Sequence, residues 1–269
     1  MKRKGGDIVS NEQIKGQVRK QFAKNAEKYV TSVGHAKGDD LALLVASSQA
    51  SLDMKVLDIA TGGGHVANAL APLVEQVIAL DLTDEMLQVA ERFIRGNGHQ
   101  NVDFIAGDAE HIPFEDDFFD LVTCRIAAHH FPDVPSFISE ALRVMKPGGR
   151  LLLIDNVAPE RDENDQFYNE IEKWRDGSHV RAWRKTEWIR MLELAGFRME
   201  TMVSFEKHFI FEDWCNRAGL PEPESKELEA SMLSVPSVIK KYFNFELAQS
   251  GRLVSFKGES VYIQAVKAK

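Results

Sequence analysis

Lys55-Val-Leu-Asp-Ile-Ala-Thr-Gly-Gly-Gly-His-Val-Ala67 reads as a buried strand that breaks into a glycine turn and leaves it as a helix. Val56, Leu57 and Ile59 make an apolar run too short for a helix of its own, the pattern of a central parallel strand. Gly62, Gly63 and Gly64 follow at once. Glycine there lets the backbone take positive φ and lets a ligand approach where a Cβ would collide. Three in succession exceed what a plain connector needs, so the turn is read as a ligand site. Val66, Leu70 and Leu73 then mark the inner face of the departing helix.

The same rhythm continues along the chain. Gln76–Asp81 reads as a second strand ending on a carboxylate, followed by a helix with Thr83 as its cap, Asp84 and Glu85 in its first turn and Gly96-Asn-Gly98 at its end. Val102–Gly107, Phe119–Cys124 and Arg150–Asp155 read as strands three to five. The helix Val134–Met145 precedes the last of these and is stopped by Pro147-Gly-Gly149. After a helix over Thr186–Ala195, Met199–Ile210 and the stretch around Val254–Val266 complete the set. Strands alternating with helices predict βαβ units, and hence an α/β, doubly wound, mostly parallel seven-stranded sheet.

Ahead of the first strand, Ile14, Val18, Phe22, Ala26 and Tyr29 recur at helical spacing, and Asp39 reads as the cap of a second helix. Residues 1–50 are therefore expected to be an N-terminal helical segment that braces the sheet or covers a site. Residues 51–210 with 252–269 form the sheet domain, and 211–251 a helical insertion contributing to a substrate cap. Between Val157 and Thr186 the periodicity weakens, and a cap or lid is expected there too. Those two irregular stretches carry Trp174, Trp183 and Trp214.

With 269 residues, 44% of them hydrophobic, the chain can bury a full core. A net charge of −8 without a Lys/Arg stripe argues against a nucleic-acid partner. Cys124 and Cys215 are far apart and lack CxxC spacing, so neither a disulfide framework nor a metal site is expected. The basic start has no apolar run after it, and no stretch approaches the roughly 18 apolar residues that span a bilayer. A cytoplasmic protein without membrane insertion is the expectation.

In a doubly wound sheet the ligand sits outside the carboxyl ends of the strands, where Asp58, Asp81, Asp108 and the segment Arg125–His130 converge. Gly62-Gly-Gly64-His-Val-Ala67 also fits G-x-G-x-x-A, with Asp81 near the offset of a ribose-binding acid, so a nicotinamide-dependent oxidoreductase is one reading. Asp58 separates the cases. A carboxylate at the mouth of the turn repels a pyrophosphate and suits a ligand carrying an ammonium and a sulfonium. Asp108 can accept from an exocyclic adenine amine, with the Ala109 N–H beside it as a donor. Capping the following helix is the competing role for each strand-end acid.

Five stretches carry a resemblance: Val56-Leu-Asp-Ile-Ala-Thr-Gly-Gly-Gly64, Asp81-Leu-Thr-Asp-Glu-Met-Leu87, Gly107-Asp-Ala-Glu-His-Ile-Pro-Phe114, Phe119-Asp-Leu-Val122 and Leu142-Arg-Val-Met-Lys-Pro-Gly-Gly-Arg-Leu151. Together they resemble the class I S-adenosylmethionine-dependent methyltransferases, which have Rossmann-like sheets, and within them the ubiquinone/menaquinone-biosynthesis group. The resemblance implies S-adenosylmethionine as cofactor and a small-molecule methyl acceptor. It implies that Ala60 to Gly64, including Gly62 and Gly63, flank the methionyl moiety, that Asp81 holds the ribose, and that Leu82 packs on adenine. Asp108 with Ala109 would read the adenine edge, and Arg125 would lie at the methionyl end. Ala60 replaces the family's first loop glycine. A protein that holds the cofactor without transferring methyl is a further alternative.

The tetrapeptide that marks many amino-methylating nucleic-acid enzymes is missing after strand four, where Ile126-Ala-Ala-His-His-Phe131 stands instead. Imidazole is the side chain best tuned to take a proton near neutral pH, so His129 and His130 are the catalytic candidates. Hydrogen bonding to backbone at the next helix start is their other possible role. His65 reads as structural or cofactor-adjacent. The acceptor pocket is expected between Arg125–Phe131, the N-terminal helix around Tyr29, and the cap segments Glu160–Lys185 and Phe211–Ser250.

Overall fold

The computed structural model of the chain describes residues 10–31 and 38–268; the side chains of 25 and 28–31, Tyr29 among them, lie outside the described residues. Five parallel strands make one wing of the sheet: β1 (Lys55–Ile59), β2 (Gln76–Asp81), β3 (Val102–Ala106), β4 (Phe119–Arg125) and β5 (Met145–Val157). The long strands β6 (Phe197–Ile210) and β8 (Leu253–Lys267) complete it in the order β3-β2-β1-β4-β5-β8-β6, with β8 antiparallel to both neighbours. A two-residue strand, β7 (Glu246–Leu247), pairs on β8 in addition to the seven expected.

Strand alternation sends side chains to two faces. Val56, Val77, Leu121 and Leu152 pack against α2 (Asp39–Ser47), α3 (His65–Leu70) and α4 (Asp84–Gly96). Leu57, Ile59, Leu80 and Val122 pack on the other side against α5 (Val134–Val144) and α7 (Lys185–Ala195), with Trp188 fully buried there. Both faces are covered, which is why these strands read as continuous apolar runs. The chain reverses its winding between β1 and β4, and that reversal opens the crevice for a ligand. Among the described residues no helix is long and apolar enough to cross a membrane.

Local details differ from the sequence reading. Thr83 occupies the N-cap of α4 without a side-chain capping bond, and Gly38 caps α2, leaving Asp39 inside its first turn. Pro147-Gly-Gly149 does not separate helix from strand: α5 ends at Val144, β5 starts at Met145, and the three residues form an irregularity within its pairing to β4. A Cβ on Gly149 would lie 2.8 Å from the Lys146 carbonyl oxygen, so glycine permits that close approach.

The stretch of weak periodicity contains α6 (Asp162–Arg175), which buries Asn164, Asp165 and Glu172 beside Phe167, Tyr168 and Ile171. Buried polar residues erase the apolar stripe by which a helix is recognised in a sequence. Segment 211–251 folds as α8 (Phe211–Ala218), α9 (Glu222–Ser234) and α10 (Ser237–Tyr242), and closes a core of its own with α6 and β8 through Trp214, Leu228, Met232, Phe243 and Phe256.

Candidate functional site

A cleft opens beyond the carboxyl ends of β1 to β4, the place where a doubly wound sheet binds its ligand. Its floor is Asp58, Ala60, Thr61, Gly62 and Gly63 from the first strand–helix turn together with Asp81 at the end of β2, and its flank is Leu82, Asp108 and Ala109. Arg125, Ile126, Ala127 and His130 form the far wall, and Lys15, Val18 and Phe22 of α1 (Asn11–Thr31) form the roof. The helix α1 is seated by Phe22 and Ala26 packing on Met86 and Val89 of α4.

Two site residues expected from the sequence do not line the cleft. Gly64 stands behind it, with φ of 80°, where a Cβ would lie 2.8 Å from Ile94; it lets the turn press against α4. His129 sits one layer behind His130. No residue of 160–185 or 211–251 lines the cleft either. Segment 176–181 reaches it only from behind the two histidines, and 211–251 meets the roof helix where the Gln21 amide donates to the Ala218 carbonyl at 3.0 Å.

The floor is a pair of buried acids held by neutral donors. Asp58 accepts from the Thr61 hydroxyl at 2.6 Å and the Thr123 hydroxyl at 2.7 Å. Asp81 accepts one backbone N–H on each oxygen, from Gly62 at 2.9 Å and Thr83 at 3.0 Å. Among the described residues no salt bridge reaches either acid. Burial therefore dominates and pushes both carboxyls up to about 6. Each oxygen of Asp81 keeps a lone pair for a further donor such as a ribose hydroxyl, and a cation placed beside Asp58 offsets its buried charge.

The flank differs. Asp108 accepts the Glu110 N–H on one oxygen and is bridged by Lys15 at 2.6 Å on the other, while Lys15 also meets Glu110 at 2.6 Å. Burial opposes charge on Asp108, but the ammonium outweighs it and holds the carboxyl below its usual range. Arg125 is clamped by both oxygens of Asp40 at the start of α2, at 2.8 and 3.0 Å. Ala60 of the floor, with φ of 51°, and Ile126 of the wall, with φ of 55°, carry backbone strain. For a β-branched residue that region is an outlier, and such strain concentrates at functional sites.

The histidines form a layered pair with ring centroids 4.2 Å apart. His129 gives its backbone N–H to one oxygen of Asp155 at 2.8 Å and pairs Nδ1 with the other at 2.5 Å. Burial disfavours its charge, yet the Asp155 carboxylate outweighs that and raises its pKa. His130 turns its edge to Phe22, centroids 5.0 Å apart, and sets Nδ1 3.1 Å from the Ser178 carbonyl and 3.2 Å from the Ser178 hydroxyl. Burial and the neighbouring His129 push its pKa down.

Sequence reasoning missed Lys15 and Asp155. Lys15 falls on the same helix face as Val18 and Phe22, at i+3 and i+7, a cation interrupting an apolar stripe. Asp155 ends the fifth strand on an acid, as Asp58 and Asp81 mark the first two. Both were visible as patterns without a partner.

The donor set fits an adenosyl ligand: carboxylates for a diol, an amine and a cation, over a glycine turn. A pyrophosphate would face Asp58 and Asp81, with the Gly62 N–H already given to Asp81. Comparison with known proteins agrees. Residues 57–153 match the family model described as a methyltransferase domain. The chain is 37% identical to the uncharacterized methyltransferase YcgJ of Bacillus subtilis (strain 168) over 91% of its own length and 97% of that protein. The crystal structure of a protein described as a putative methyltransferase from Bacillus halodurans C-125 superposes with a TM-score of 0.84 at 52% identity, covering 86% of this chain and all of that one. The C-methyltransferase UbiE of ubiquinone/menaquinone biosynthesis from Shewanella sediminis (strain HAW-EB3) is 36% identical over 46% of this chain and 51% of its own length. With that kinship and this cleft, the chain belongs to the class I S-adenosylmethionine-dependent methyltransferases.

Proposed function

We propose that the enzyme methylates a small organic molecule with an apolar or aromatic body, bound under α1 and against the turn Ala128–His130. S-adenosylmethionine supplies a methyl group on a sulfonium, a leaving group already activated. What remains for the chain is to orient the acceptor, exclude water and receive any proton released. Asp81 is assigned to the ribose hydroxyls, Asp108 with Ala109 to the adenine edge, and Leu82 to its face. The turn Ala60–Gly63, Asp58 and Arg125 are assigned to the methionyl end.

The observation that carries the acceptor reading is the placement of His130 on the cleft wall, edge-on to Phe22 and next to Val18, Ile126 and Ala127. His130, not His129, is therefore the residue assigned to the acceptor. The partial likeness to a quinone-biosynthesis C-methyltransferase supports an apolar ring as the acceptor body. The net charge of −8 speaks against a nucleic-acid acceptor, and the buried free thiols Cys124 and Cys215 suit the reducing cytoplasm.

The test is incubation with methyl-labelled S-adenosylmethionine and a fractionated cell extract. Label entering an organic-soluble small-molecule fraction, and lost in a His130→Ala variant, is the expected result. Label entering only nucleic acid or protein overturns the acceptor class.

A further inference from the structure

The hydrogen bonds behind His130 decide which of its nitrogens faces the cleft. Ser178 lies in the loop after α6, and its hydroxyl donates to Asp176 Oδ1 at 2.5 Å while its backbone N–H donates to the same oxygen at 2.9 Å. With its only proton committed to a carboxylate, the Ser178 oxygen at 3.2 Å from His130 Nδ1 accepts, and the Ser178 carbonyl at 3.1 Å can only accept. Both neighbours of Nδ1 are acceptors, so Nδ1 carries the proton. In the neutral ring Nε2 is then the bare lone pair.

The loop is stapled to the histidine turn from a second direction. Val180 and Arg181 both donate their N–H groups to the His129 carbonyl, at 2.9 and 3.1 Å. His129 is paired to Asp155, whose carboxylate favours its charged form, and charge on His129 disfavours charge on His130. The titratable groups around the His130 ring are His129 from its own turn, Asp155 from β5, and Asp176 and His179 from the loop after α6.

We infer that Asp176 and Ser178 are positioning residues that lock His130 as the Nδ1–H tautomer, so that Nε2 accepts a proton from the methyl acceptor, which is therefore a protic nucleophile: a phenol, an enol or an acidic C–H or N–H. This rests on the assignment of His130 to the acceptor. The step balances. The acceptor's X–H bond breaks with its proton going to Nε2, its electron pair forms the bond to the methyl carbon, and the C–S pair remains on sulfur. One positive charge leaves the sulfur as one arrives on His130, so the buried site gains no net charge.

The full chain labelled with 15N-histidine and saturated with S-adenosylhomocysteine tests this without any acceptor. Two-bond proton–nitrogen correlation at pH 7.5, with His130 identified by its loss in His130→Gln, should show Nε2 in the range of an unprotonated imidazole nitrogen and Nδ1 in the protonated range. In Asp176→Ala, where the Ser178 hydroxyl loses its acceptor and is free to turn and donate to Nδ1, the Nε2 resonance should move toward the protonated value; Ser178→Thr should retain the wild-type pattern. An Nε2–H tautomer or an imidazolium in the wild type overturns the inference, as does an Asp176→Ala spectrum indistinguishable from wild type. Amide shifts on adding S-adenosylhomocysteine report the cofactor site separately, so failure there strikes the functional assignment and leaves the tautomer readout standing.

Discussion

The floor of the cleft and its roof are built on opposite plans. Asp58 and Asp81 lie within 24 residues of one continuous stretch, are buried, and are held by hydroxyls and backbone N–H groups without a cation of their own. In the roof, flank and wall, Lys15 bridges Asp108 and Glu110, and Arg125 is clamped to Asp40, each pair joining residues far apart in the chain. The floor keeps its charge imbalance for a ligand to relieve; the roof has settled its charges internally and serves to close the site.

The largest effect on cofactor affinity is expected where the floor is emptied of its diol acceptor. Asp81→Asn should weaken S-adenosylhomocysteine binding by about 1.5–3 kcal/mol, the range for hydrogen bonds to a charged group, or roughly 10–150-fold. Calorimetry measures it, and an unchanged affinity would break the distinction between floor and roof.

Asp58→Asn is the second test, because it should separate affinity from stability. Native Asp58 titrates at about 6 against an ordinary 3.8. Between those values the native state retains protons that the unfolded chain has released, so this group's contribution to stability falls as pH rises through the window. The substitution should therefore raise apo stability at pH 7.5 by about 1–3 kcal/mol, a gain that fades as pH is lowered to 4, while cofactor binding weakens. Denaturant melts of both proteins across that range check it; a variant less stable than wild type at pH 7.5 would show that neutral donors already satisfy the acid.

Roof variants should act more mildly and locally. Lys15→Met leaves Asp108 and Glu110 without their shared cation, and its expected signature is loss of hydrogen-exchange protection confined to α1 and 108–110, with cofactor affinity lowered roughly three- to tenfold, on the order of 1 kcal/mol. Protection lost across the whole sheet would mean that α1 is integral to the core.

The smallest effect on binding is expected from the third core. Met232→Ala should destabilise by about 2–5 kcal/mol, as deletion of a buried side chain does, yet leave cofactor affinity unchanged, because segment 211–251 lines none of the cleft. A parallel loss of affinity would restore the role as a substrate cap expected from the sequence.

The contrast also explains what the sequence disclosed. The floor was legible because a strand, a glycine turn and a strand-end acid follow one another within a few residues, and Asp58, Asp81 and Asp108 all came to the cleft. Gly64 belongs to that motif but serves packing on Ile94, a distinction that depends on a helix 30 residues away. Ala60 stood in the sequence as a simple replacement, whereas its backbone occupies the left-handed region that favours glycine. The roof and wall were hidden because their meaning lies in pairs: Lys15 with Asp108, Asp155 with His129, Ser178 with His130. Aromatic residues in 211–251 suggested a pocket wall, but Trp214 packs against Phe256 within a separate core.

The central claim is that the acid-floored cleft holds S-adenosylmethionine through Asp81. Its most direct test is calorimetric titration of wild type and Asp81→Asn, at pH 7.5, with S-adenosylhomocysteine and with NAD. The account predicts binding of S-adenosylhomocysteine to wild type, at least about tenfold weaker binding to the variant, and no heat from NAD with either. Binding of NAD to wild type, or equal affinity of both proteins for S-adenosylhomocysteine, would contradict it.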